Sequence, residues 1–258
     1  MFGAVNGLIA KKLQHEGQRG FTLIEMSIVL AIIGLIVGGI LKGQEVVNNA
    51  RLKTQMAQID AIKAAVNTFQ DQYSALPGDY TTPANLGEAG APVGNGNGSI
   101  GAVFTVAQNV SCDAEIYRVW LDLAAANLLG GTHLQNGGCG TVAAVSPVST
   151  ATGALLQGKV GNGNSYLYLG TYALAAPLPV GTVPIIELQG GAGAPGAAGA
   201  SAMRIIDAAA IDVKYDDGSD VSGTIMSPQT NSCSTGAGPY TVGAGDTALN
   251  CNMLFTIQ

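Results

Sequence analysis

The sequence predicts an α+β protein, with one long N-terminal helix packed on an antiparallel β-sheet head that carries short helices. Three observations lead there. A helical pattern runs from Phe21 to Ser74, with no proline before Pro77. Later segments rich in aromatic and β-branched residues read as strands. Between them lie connections dominated by Gly, Asn and Pro.

The first element opens with "RGFTLIEMSIVLAIIGLIVGGIL", Arg19 to Leu41. From Phe21 to Leu41 the only ionisable side chain is Glu25. A helix of that length spans about 30 Å, the thickness of a bilayer core. A secretory signal peptide has a shorter apolar core and a small-residue cleavage site, and "LKGQEVV" is a weak one. A plain anchor fits the length. Lys11, Lys12 and Arg19 against Glu16 would then keep the leader cytoplasmic. Neither explains Glu25. Past Leu41 the pattern becomes amphipathic, with Leu52, Met56, Ile59, Ile62, Val66, Phe69 and Tyr73 three and four apart. This stripe is expected to pack on the protein's own head, and "SALPGDY" ends a helix about 80 Å long.

Residues 81–111 read as a loop with a strand at Ala102–Ala107. "CDAEIYRVWLDLAAANLLGG" places Ile116, Val119, Trp120, Leu123 and Leu128 at helical spacing, with Gly130 as a stop. Trp120 is expected in the core. "NSYLYLGTYAL" and "VPIIELQ" read as strands. The low-complexity stretch 190–200 leads into a helix around Ser201–Ala209. Ile211, Val213 and Tyr215 alternate ahead of Asp216-Asp217-Gly218, which predicts a hairpin. "CNMLFTI" is the last strand, tied by Cys251.

Charge narrows the function classes. Charged residues make up 11 % of the chain, against about one quarter ordinarily. From Tyr80 onward the basic residues are Arg118, Lys159, Arg204 and Lys214, outnumbered by acidic ones. Such a surface is a poor general binder of nucleic acid. No catalytic pattern emerges either. His133 has no second histidine near it for a metal site, and neither a nucleophile elbow nor a Cys–His arrangement is present. "GNGNGS" and "GNGNS" lack the strand-then-helix setting and the basic residue of a phosphate loop. They read as flexible surface loops. No cofactor and no enzymatic activity are expected. If the head is extracytoplasmic, the four cysteines form two disulfides. Of three connectivities, Cys112–Cys139 with Cys233–Cys251 is favoured because each closes a local loop.

Arg19-Gly20-Phe21-Thr22-Leu23-Ile24-Glu25 ahead of an apolar run resembles the class III signal of type IV pilins and type II secretion pseudopilins. The resemblance covers Gly20–Leu41 firmly and leaves the head uncovered. It implies the pilin fold, with residues 1–20 as a cytoplasmic leader and 21–42 as a transmembrane and polymerisation helix. Residues 43–76 would be the amphipathic half of that helix and 77–258 the head. It implies that a prepilin peptidase cuts between Gly20 and Phe21 and N-methylates Phe21. It also implies that Glu25 meets the amino terminus of a neighbouring subunit. The competing reading is that Glu25 snorkels to water unpaired.

The implied partners are the peptidase, identical or related pilin subunits, the inner membrane before assembly and a membrane-embedded assembly machinery. The implied destination is an extracellular filament; the alternatives are a periplasmic pseudopilus of a type II secretion system or a minor pilin or adhesin whose head binds a ligand. Many pilins carry a proline in the first half of this helix. This chain has none there, so Gly38-Gly39 is expected to supply any extensibility. Cys233 and Cys251 resemble the C-terminal disulfide-bounded loop of many pilins. No metal is expected, although Asp212, Asp216, Asp217 and Asp220 are weak calcium candidates by likeness to some pseudopilins. Against them, Lys214 intrudes and no bidentate Glu follows at EF-hand spacing.

Overall fold

The computed structural model describes residues 20–87, 94–101, 115–130, 156–160, 165–174, 181–190, 201–227, 233, 238–240 and 249–257. The chain divides into two units, one up to Asn48 and one from Asn49 onward. Helix α1, Leu23–Tyr73, contributes to both and continues unbroken through Gly38-Gly39.

Among the described residues of the first unit every large apolar side chain is exposed, from 43 % for Met26 to 93 % for Leu23. A helix apolar on all sides has no aqueous face to present. This one is long and apolar enough to cross a membrane.

In the second unit α1 has a single apolar stripe. Leu52, Met56, Ile59, Ile62, Val66 and Phe69 are buried. The helix stops at Tyr73, where Ser74 takes a left-handed backbone angle. Phe69, Tyr73 and Tyr80 then stack as a three-ring cluster, with centroids 4.6 to 5.8 Å apart. A single turn of 3-10 helix, Pro83–Leu86, follows. Helix α2, Glu115–Ala125, buries Ile116, Val119, Trp120 and Leu123, at the spacing read from the sequence.

The strands are β1 Leu156–Gln157, β2 Ser165–Leu174, β3 Gly181–Gly190, β4 Met203–Arg204, β5 Ile225–Met226, β6 Leu249–Cys251 and β7 Met253–Thr256. They form an antiparallel sheet in the order β1-β2-β3-β7-β5 and a small β4-β6 ribbon. The long β2–β3 pairing sets Leu167 opposite Leu188 and Leu169 opposite Ile186. These four join Phe255 and the α1 stripe in the main core. Ile185, Met226 and Leu254 form a separate cluster. The expected C-terminal strand is split at Asn252. Its side-chain oxygen accepts from Gly190 N and Ala202 N while its carbonyl accepts from Ser227 Oγ, so the chain turns between two partners.

One expected element is overturned. Residues 211–215 do not form a hairpin strand, because helix α3, Ile205–Tyr215, runs through them. The helix also begins later than the expected Ser201–Ala209. Ile205, Ala208, Ile211 and Asp212 are buried at spacings of three and four, while Val213 is 71 % exposed. Three alternating residues are too few to outweigh a helical register already set upstream. Arg204 at the N-cap also grips Asp207 of the first turn through two hydrogen bonds of 2.7 and 2.8 Å. Asp216-Asp217-Gly218 is therefore a helix exit. The strand expected at Ala102–Ala107 lies outside the described residues.

Candidate processing and assembly site

The first described residue is Gly20, and Phe21 beside it is 78 % exposed. Thr22 stands ahead of α1 and Glu25 lies in its first turn. Thr22 N and Thr22 Oγ1 each donate to Glu25 Oε2 at 2.8 Å, and Glu25 N donates to Thr22 Oγ1 at 3.2 Å. This is a reciprocal capping box, which satisfies two backbone donors that a helix start leaves open. A carboxylate at this end also faces the positive pole of the helix dipole. Sequence reasoning singled out Glu25 and missed Thr22, although Thr-x-x-Glu before an apolar run is the signature of that box. In the uncleaved chain the Phe21 nitrogen is an amide. The ammonium implied as a partner of Glu25 belongs to the processed state.

Residues 17–41 match the family model of the prokaryotic N-terminal methylation motif. The segment is a class III prepilin signal. Such a signal, at the head of a helix long and apolar enough to cross a membrane, fits a membrane-anchored precursor. No curated protein and no solved structure matches the chain. The prepilin signal thus speaks for the N-terminal segment alone, and the head has to be read from its own residues.

In the head, Asp212, Asp216 and Asp217 bring one carboxylate oxygen each to within 4.8 Å of one another. Each carboxylate already accepts hydrogen bonds from the head itself. Gly218 N and Tyr240 Oη donate to Asp212, Thr224 N and Ile225 N to Asp216, and Ser219 N and Ser222 Oγ to Asp217. Asp220 is fully buried, and its carboxylate oxygens have no hydrogen-bond partner among the described residues. Burial pushes the Asp212 carboxyl up to about 6, against the donors that favour its charged form. The Tyr240 hydroxyl is pushed upward by burial and by the Asp212 charge. Lys63 on α1 is lowered by burial, opposed by the charges of Asp60 and Asp216.

Cys233 and Cys251 form a disulfide with Cα atoms 4.9 Å apart, and both cysteines are fully buried. Cys112, Cys139 and His133 lie outside the described residues. Trp120 is fully buried.

The "GNGNGS" loop is exposed at residues 95–98 and yet fully engaged. Gly96 N and Asn97 N donate to Asp79 Oδ1, and Gly98 N donates to Asp79 Oδ2. Asn95 N and Gly101 N donate to the two oxygens of Glu115. Consecutive backbone amides of a Gly-rich loop could cradle an external phosphate. Here the protein's own carboxylates take that place.

Proposed function

We propose that the chain is a filament subunit, cleaved between Gly20 and Phe21 and N-methylated on Phe21 by a prepilin peptidase. The processed subunits polymerise through their N-terminal helices. The observation that carries the reading is the prepilin signal over residues 17–41 at the head of a helix whose N-terminal part is apolar on every side. Such a face, once out of lipid, needs other helices around it. Gly34, Gly38, Gly39 and Gly43 have open space where a Cβ would stand, so a neighbouring helix can approach closely there.

Glu25 sets the register. An unpaired carboxylate in lipid costs at least about 2.5–3.5 kcal/mol. Before processing the Thr22 cap shares that charge. Cleavage creates an ammonium at Phe21, and a neighbouring subunit can bring its own to Glu25. The favourable pairing exists at one axial offset, which is how a buried polar pair specifies register.

Glu25→Ala tests this. Export and cleavage should persist, with a mature N-terminus at methylated Phe21 by mass spectrometry, while filaments are lost from sheared preparations. Normal filaments from Glu25→Ala would sink the pairing, and a different mature N-terminus would sink the processing. Imaging of sheared filaments from the native chain separates a long surface pilus from a short pseudopilus.

A further inference from the structure

The loop around Asp79 contains two Asn-Gly steps, Asn95–Gly96 and Asn97–Gly98, with both asparagines exposed. Asn-Gly is chemically fragile because glycine has no Cβ to hinder its nitrogen from turning onto the preceding side-chain amide. The atoms that would react are all held. Gly96 N donates to Asp79 Oδ1 at 2.6 Å, and Gly98 N donates to Asp79 Oδ2 at 2.7 Å. Asn95 Oδ1 accepts from Asn97 N at 3.0 Å, and Asn97 Oδ1 accepts from Ser99 N at 2.8 Å. Asp79 is 2 % exposed, and a Cβ at Gly94 would collide with the Asp79 backbone, so the loop packs directly against that residue.

We propose that Asn95 and Asn97 form a covalent modification site by deamidation, and that Asp79 gates it. With the loop closed, each attacking nitrogen is tied to a carboxylate whose negative charge also opposes loss of the amide proton. When the loop opens, the glycine nitrogen gives its proton to solvent and bonds to the asparagine Cγ. The Cγ–N bond breaks and ammonia leaves. Water then opens the succinimide at either carbonyl, leaving aspartate or isoaspartate. No electrons are exchanged, and solvent water is the only co-reactant.

The step is one-way. The product adds a negative charge beside Asp79 and Glu115, and isoaspartate lengthens the backbone by one methylene. Either change prevents three consecutive amides from refitting two carboxylate oxygens. An exposed loop thereby acquires an age mark on the folded head. This inference does not rest on the filament reading.

The test uses the full-length chain in detergent, aged at mildly alkaline pH and followed by peptide mass spectrometry with isoaspartate detection. In the folded chain, conversion at Asn95 and Asn97 should be at least about tenfold slower than in urea, since reaction waits on local opening. Folded Asp79→Asn should bring both sites toward the urea rate. The same dipeptides at Asn136–Gly137 and Asn162–Gly163 should keep their wild-type rates and serve as internal references. Equal rates in folded and urea-treated wild type would overturn the proposal, as would a folded Asp79→Asn that keeps the wild-type rate. If that variant does not fold, hydrogen exchange of wild type decides. Rapid exchange at the Gly96 and Gly98 amides would overturn the gate, and protected amides would uphold it.

Discussion

Asp212 gives the sharpest quantitative expectation, with Asp212→Asn as the perturbation. Its carboxyl is buried and titrates at about 6 instead of 3.8. Folding therefore favours its protonated form. The associated stability is fully present below pH ~4 and is lost as pH rises through about 6. That shift corresponds to about 3 kcal/mol. Screening by solvent at the neighbouring exposed Asp217 brings the expected figure nearer to ~2 kcal/mol. Asparagine keeps both bonds, because its oxygen accepts from Gly218 N and its amide donates to the Tyr240 oxygen.

The assay is urea unfolding of the full chain in detergent and chelator, from pH 4 to 8. The variant should match wild type at pH 4 and exceed it by ~2 kcal/mol at pH 8. A variant that is the less stable one at pH 8 would refute the reasoning. Calcium adds a second arm, since a cation held by Asp212, Asp216 and Asp217 would stabilise the charged form and remove the wild-type loss above pH 6. A wild-type pH profile unmoved by calcium would count against those residues as ligands.

Two further expectations concern the joints of the head. Gly78 has φ +91° and donates its amide to Asp122 Oδ2, and a Cβ there would lie 2.5 Å from the Glu115 carbonyl oxygen. Gly78→Ala should cost roughly 2–4 kcal/mol, from backbone strain and overpacking together; an effect under ~1 kcal/mol by urea unfolding would refute this. Replacing Cys233 and Cys251 together by serine opens a loop with a sequence separation of 18. This should lower stability by about 3 kcal/mol in the same assay, and an unchanged unfolding midpoint would contradict it.

Local signals were read well from the sequence. The three- and four-residue spacing that buries Ile59, Ile62 and Val66 is written in α1, and aromatic and β-branched residues mark β2 and β3. The error at α3 arose where local patterns compete. Ile211, Val213 and Tyr215 fit a strand over five residues, whereas the helical register that prevails is set upstream at Ile205 and Ala208. Long-range pairings were not legible. Asp79 finds its donors at Gly96 to Gly98, and Gln55 reaches Lys159 N across 104 positions. No short window of sequence holds both ends of such a bond. Thr22 is legible as the first residue of Thr-x-x-Glu, although inside an apolar run Glu25 is the more conspicuous of the two.

The position of β7 has a consequence for how the sheet holds together. Among the described strands Met253–Thr256 comes last in sequence, yet it lies inside the sheet, between β3 and β5. Phe255 and Leu254 from this strand enter separate apolar clusters. A single short strand therefore links both clusters to the sheet. Without those few residues the edge of β3 would stand unpaired, with apolar surface uncovered on both sides of it. Loss of β7 would undo two apolar clusters and two strand pairings at once, so the sheet stands or falls with this one short strand.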